Sequence, residues 1–286
     1  MSTLKPGSAG SAFRSRILFH ATAQSIGCPP KPSSMANYWH TLRPWHDSVS
    51  LWRSMRSGAK PWLHNQKFLF DHFPHLRALY DNPLFTFVFH PEWSGEWDDL
   101  ADSIRIGGEP LDGYNGKLTR LLYDRVDWPS LAVHLVLYQT HAPRFCSHRL
   151  WLKDNLLAMV RLSGMQRPIS FVRSEFYDFL TPIILGGDAS QSNWQSRVAK
   201  WMPSEDLFNC LQQGQWLHGD DQALAMLIWN FREELQSELD IGPQQPLGEE
   251  SCGVPRSLQK KWCRKLAQWR DHPLSLNGIC CEYTHQ

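Results

Sequence analysis

The chain has 286 residues, 42% of them hydrophobic, and a formal net charge of +1. That length and composition allow one large core or two small ones, and the absence of any run of 18 apolar residues argues against a membrane-spanning helix. Seven irregularly spaced cysteines argue against a disulfide framework and for a reducing compartment, the cytoplasm or the mitochondrial matrix.

The near-neutral total hides a segregated charge. Residues 1–70 hold nine Lys and Arg against the single acid Asp47, and residues 256–270 hold six against none. With −2 on residues 271–286, the middle of the chain carries −11. Two basic ends therefore flank an acidic body. Such ends suit a polyanion, or they fold back onto the acidic middle.

Residues 1–34 are rich in Ser, Ala and Pro and contain Lys5, Arg14, Arg16 and Lys31. The segment reads as a flexible basic arm ending at Cys28-Pro29-Pro30-Lys31-Pro32. A short amphipathic helix, a transit peptide or an extended start ahead of Met35 are its other readings. Residues 36–62 follow. Asp47 or Ser48 caps a helix through Leu51, Trp52 and Met55 that ends near Gly58 and Pro61. Arg53, Arg56 and Lys60 lie along it, near Trp45, Trp52 and Trp62. Cations interleaved with aromatics suit phosphate contacts plus base stacking; an amphipathic helix with buried Trp is the plainer reading.

His64, Asp71, His72 and His75 come next, with His46-Asp47 before them and His90, Glu92 and Glu96 after. These are metal-ligand types, but Pro74 interrupts the helical face that would align His72 with His75, so structural histidines are expected. The apolar run 84–90, LFTFVFH, reads as a strand. Gly107-Gly108 and Asn115-Gly116 mark turns. Gly107, Gly108 and Gly113 lack the spacing and the Lys-Ser/Thr pair of a phosphate-binding loop. Helices are expected at Lys117–Tyr123 and, capped by Asp127 or Ser130, through SLAVHLVLYQTH, with His134 on the apolar side. Residues 149–180 form a helical hairpin that turns at Ser163-Gly164; the acids Glu175 and Asp178 set against Arg173 make it a core element rather than a DNA reader. Helices follow around 192–201 and 205–212.

The clearest helix of all opens at Asp220-Asp221. It places Leu224, Leu227, Ile228, Phe231, Leu235 and Leu239 on one face and stops at Gly242-Pro243. Residues 241–255 have linker composition. In RSLQKKWCRKLAQWR, residues 256–270, Leu258, Trp262, Lys265, Leu266 and Trp269 share one face, and Lys260, Lys261, Arg264 and Arg270 ring the rest. A basic amphipathic helix of this kind fits nucleic acid, an anionic membrane or the chain's own acidic body. Cys252, Cys263, Cys280 and Cys281 lack the close pair of a zinc site, so free buried thiols are expected.

The expected fold is mainly α with a small β component (α+β). A flexible basic arm (1–34) precedes a mainly helical core domain (35–240), a linker (241–255) and a basic amphipathic helix with its tail (256–286). Three functions fit. The leading one is a non-catalytic nucleic-acid-binding subunit of a nucleoprotein assembly, for DNA or RNA, in contact with other protein subunits. Its contacts are Arg53, Arg56, Lys60, Lys260, Lys261, Trp262, Arg264, Lys265 and Trp269, and it needs no metal, cofactor or catalytic residue. The others are a protein-interaction subunit whose acidic body meets a basic partner, and a metal-dependent hydrolase using the His46–Glu96 region.

Overall fold

The computed structural model describes residues 6–42, 48–82, 84–85, 97–185, 207–209, 211–212, 221–238, 256–276 and 279–280. They are mainly helical, with one small antiparallel sheet. Helix α1 (Pro6–Ile26) is the element the first third of the chain packs around. Against it lie α2 (Pro32–Leu42), α3 (Ser48–Ser57) and α5 (Pro74–Tyr80), while α4 (Leu63–His72) packs on α5.

Within the segment expected to be a flexible arm, Pro6–Ile26 is instead a core helix. Phe13, Ile17, Leu18 and Phe19 are all buried, and the Phe13 ring stacks on Phe176 at 6.3 Å and meets Phe179 edge-on at 5.4 Å. The segment lacks acids but not apolar residues, and burial of that apolar area outweighs its poor composition. Its cations are accommodated at the rim. Arg16 pairs with Glu175, and Arg14 lies over the Tyr80 ring at 4.7 Å.

The rest of the core is built from α6 (Trp97–Asp102), α7 (Gly116–Tyr123), α8 (Trp128–Gln139), α9 (Cys146–Met165), α10 (Arg173–Leu185) and α11 (Asp221–Glu238). Helix α9 packs on α8, α10 and α11. Two of these helices have side-chain caps, of which the one at Asp127 is expected from the sequence. The Asn115 carboxamide accepts from Lys117 N and Leu118 N, and the Asp127 carboxylate accepts from Ser130 N at 2.7 Å. Asp221, the first residue of α11, also binds a partner outside the helix. It is buried, and the Arg167 guanidinium donates to both its oxygens, at 2.6 and 3.1 Å. Helix α11 is kinked at Phe231, and Gln222 near its start is buried.

Two short strands, β1 (Arg105–Ile106) and β2 (Glu109–Pro110), form a hairpin across Gly107-Gly108. Both glycines have positive φ, 60° and 82°, as a tight two-residue turn requires. After α12 (Arg256–Asp271) the chain adds β3 (Leu274–Leu276) and β4 (Ile279–Cys280), giving the antiparallel order β2-β1-β3-β4. The chain beyond α12 thus completes the sheet, with Arg105 in register with Ser275. Of the strand expected at 84–90, Leu84 and Phe85 are buried in helical backbone and the remainder lies outside the described residues. A short apolar run has no period to separate the two states.

Candidate nucleic-acid interface

Helix α3 ends in a tight corner. Gly58 N donates to Met55 O and Ala59 N to Ser54 O, a Schellman motif with Gly58 at φ 99°. A Cβ at Gly58 would lie 2.7 Å from Ala12 Cβ, so the corner sits directly on α1. Pro61 is buried, and Gln66 Nε2 donates to its carbonyl at 2.8 Å. Trp62 then serves as the N-cap residue of α4. Its carbonyl accepts from Asn65 N and Gln66 N, while its indole stands in solvent at 76% exposure beside Leu63 at 79%.

At 100° per residue, α3 turns Leu51, Trp52 and Met55 into the core and leaves Arg53 and Arg56 outside. Lys60 at the corner and Lys67 on α4 are also exposed. None of these four cations forms an ion pair among the described residues. Between the helices is a cavity of about 460 Å³. Ser50, Ser54 and Met55 line it from α3, Lys60 and Trp62 from the corner, and His64 and Asn65 from α4. The Asn65 side chain is only 4% exposed, and its Oδ1 has no hydrogen-bond partner.

Helix α12 has the same composition and a different arrangement. Lys260, Lys261, Arg264 and Arg270 are exposed, as the sequence pattern requires. Trp262 and Trp269, expected to stack on bases, are core residues instead. Trp262 is 1% exposed, the two rings meet edge-on at 5.2 Å, and both indole nitrogens are buried. Lys265 is likewise not available to a phosphate: its ammonium donates at 2.6 Å to both Asp124 Oδ2 and Asn230 Oδ1. The apolar stripe Leu258-Trp262-Trp269 faces α11, so the helix is docked rather than appended.

A second cavity of about 460 Å³ lies between the turn after α9 and residues 207–212. It is lined by Arg167, Arg173, Phe171 and Gln212, among others, and was not apparent from sequence because its walls come from distant segments. Phe171 is half-exposed and stacks on His20 at 4.6 Å. Burial, with a smaller contribution from the Arg56 charge, holds His20 down at about 4.

Three further described histidines make structural contacts. His75 Nε2 lies 2.8 Å from Ser25 Oγ, but that hydroxyl donates its proton to Ala21 O. His75 must then be the donor, which leaves no base to activate the serine. His72 stacks on Phe68 and meets the Tyr38 hydroxyl at 3.3 Å. His148 lies between the Tyr123 hydroxyl and the Gly113 carbonyl, at 2.9 and 3.1 Å. Among the described residues no three His, Cys, Asp or Glu side chains converge as metal ligands. His46, His90, Glu92 and Glu96 of the hydrolase reading lie outside them, as do Trp45 and Asp47. Cys263, expected to be buried, is an exposed free thiol, as is Cys146. No described helix is long and apolar enough to cross a membrane. The chain matches no family model, and comparisons with curated proteins and with solved structures find no match.

Proposed function

We propose that the protein is a non-catalytic nucleic-acid-binding subunit of a larger assembly, working in a reducing compartment such as the cytoplasm. The observation that carries the reading is the α3–α4 corner, where Arg53, Arg56, Lys60 and Lys67 stand unpaired among the described residues around an exposed Trp62. Cations without acidic partners keep their full charge for phosphates, and the exposed indole supplies a stacking face. The outer face of α12, with Lys260, Lys261 and Arg264, is a second phosphate-contacting surface. Exposed free thiols at Cys146 and Cys263 fit a reducing environment.

The test is a binding titration with a labelled oligonucleotide over a range of salt. Affinity is expected to fall linearly on logarithmic axes as salt rises. Charge reversal of Arg53, Arg56 and Lys60 is expected to abolish binding at an unchanged melting temperature. Binding that is absent, or indifferent to salt, contradicts the proposal. One observation favours a protein partner instead: Leu63 is as exposed as its neighbour Trp62, and Trp with Arg is the usual centre of a protein interface.

A further inference from the structure

Resting on that reading, we infer that the cavity between α3 and α4 is a nucleobase subsite, and that the ligand is single-stranded. Its volume of about 460 Å³ lies within the roughly 300–1,000 Å³ of small-ligand sites. The wall at the corner is the Trp62 indole, held at the N-cap of α4 by backbone bonds and free to present a face. Met55 and Leu51 make the apolar side. At the other side is the Asn65 carboxamide, buried, with its Oδ1 carrying no hydrogen bond. A buried acceptor without a partner is costly, and a base edge with an amino or imino N–H supplies the missing donor. A carboxamide can give and accept at once, the bidentate pattern that reads an adenine edge. Ser50 and Ser54 add hydroxyls that serve in either role.

The backbone of such a ligand has its own contacts. Lys60 lines the cavity mouth, and Arg53, next to Ser54 and about one helical turn after Ser50, is exposed on α3. A base in the cavity therefore places its flanking phosphates beside these two cations. Bases in a duplex are stacked and paired and cannot enter a side pocket without being flipped out, which costs several kcal/mol. A single strand presents its bases at far lower cost, so the geometry selects it.

The experiment uses the full chain, a labelled 12-nucleotide single strand of mixed sequence, and the duplex of the same sequence. The single strand is expected to bind more tightly than the duplex. Trp62→Ala is expected to weaken single-strand binding by about tenfold or more and Trp62→Phe by much less, with duplex binding unchanged by either. Both variants are expected to melt with the wild type, because the side chain they alter is in solvent. Asn65→Asp, which removes the amide donor and keeps the shape, is expected to change the preference among homopolymers while leaving the slope with salt unchanged. Single strand and duplex bound alike, with neither affected at Trp62, overturns the subsite but leaves nucleic-acid binding standing. Failure of the wild-type chain to bind either probe overturns both readings.

Discussion

The α3–α4 corner and helix α12 are built from the same residue types, Lys and Arg interleaved with Trp, yet their indoles have opposite fates. On α12, Trp262 and Trp269 sit seven residues apart with Leu258 and are buried; on α3, Trp52 sits with Leu51 and Met55 and is buried as well. Trp62 belongs to no such stripe. It follows Pro61 at the N-cap of α4, where the chain changes direction, and it remains outside. An indole in register with an apolar stripe is drawn to the core by the area it buries, whatever the charge of its neighbours. An indole at a helix boundary has no register to obey. Only the second kind is free for a ligand.

The two kinds of tryptophan can be separated by stability. Trp262→Ala is expected to cost about 3–5 kcal/mol in urea denaturation, as for other large core truncations, while Trp62→Ala stays within about 0.5 kcal/mol. Comparable losses at both positions would erase the distinction. The lysines of α12 divide the same way. Lys265→Glu places a carboxylate against Asp124 and is expected to cost about 2 kcal/mol, because both partners are mostly buried. Lys260→Glu and Lys261→Glu, on the exposed face, should be near neutral to folding.

Lower pH should loosen the ground beneath α12. His134 on α8 is fully buried, its Nε2 against Leu122 O of α7, and burial lowers its pKa to about 4 from 6.5. The unfolded chain therefore takes up a proton from about pH 6.5 downward while the folded chain stays neutral there. Stability is complete above pH 6.5 and is lost progressively towards pH 4, by about 2 kcal/mol between pH 7 and pH 5. His134→Leu should flatten that part of the profile in urea titrations; an unchanged slope would show that other groups govern it. A change of similar or smaller size is expected at the corner itself. Gly58→Ala forces a positive φ on an L residue and crowds Ala12, at a cost of about 1–3 kcal/mol, and should weaken binding by misplacing Trp62.

Much of this architecture was legible in the sequence because periodicity reports burial. The helix at 221–238, the cap at Asp127, the Gly107-Gly108 turn and the exposed face of α12 all follow from residue spacing, whereas Asn115, read as part of a turn, proves to be the cap of α7. Helix α1 was obscured by its composition. Its Ser, Ala and Arg suggest an arm, and only the partners Phe176, Phe179 and Phe85, far along the chain, reveal what Phe13 is for. The candidate site was half legible. Arg53 and Arg56 stand where the helical period puts them, and Lys60 follows at the corner. Asn65, by contrast, is one polar residue among many until α3 and α4 close a cavity around it. Lys265 shows the converse: it lies on the apolar face of α12, and its pairing with Asp124, 141 positions away, is a tertiary fact.

The central claim, that the α3–α4 corner meets phosphates, is tested most directly by the salt dependence of single-strand affinity. Each phosphate contact contributes about 0.7 to the slope of log K against log salt. Neutralising Arg53, Arg56 and Lys60 together, each to Gln, should reduce that slope by about 2. The same treatment of Lys260, Lys261 and Arg264 reports separately on α12. A slope for the corner variant equal to that of the wild-type chain would contradict the account.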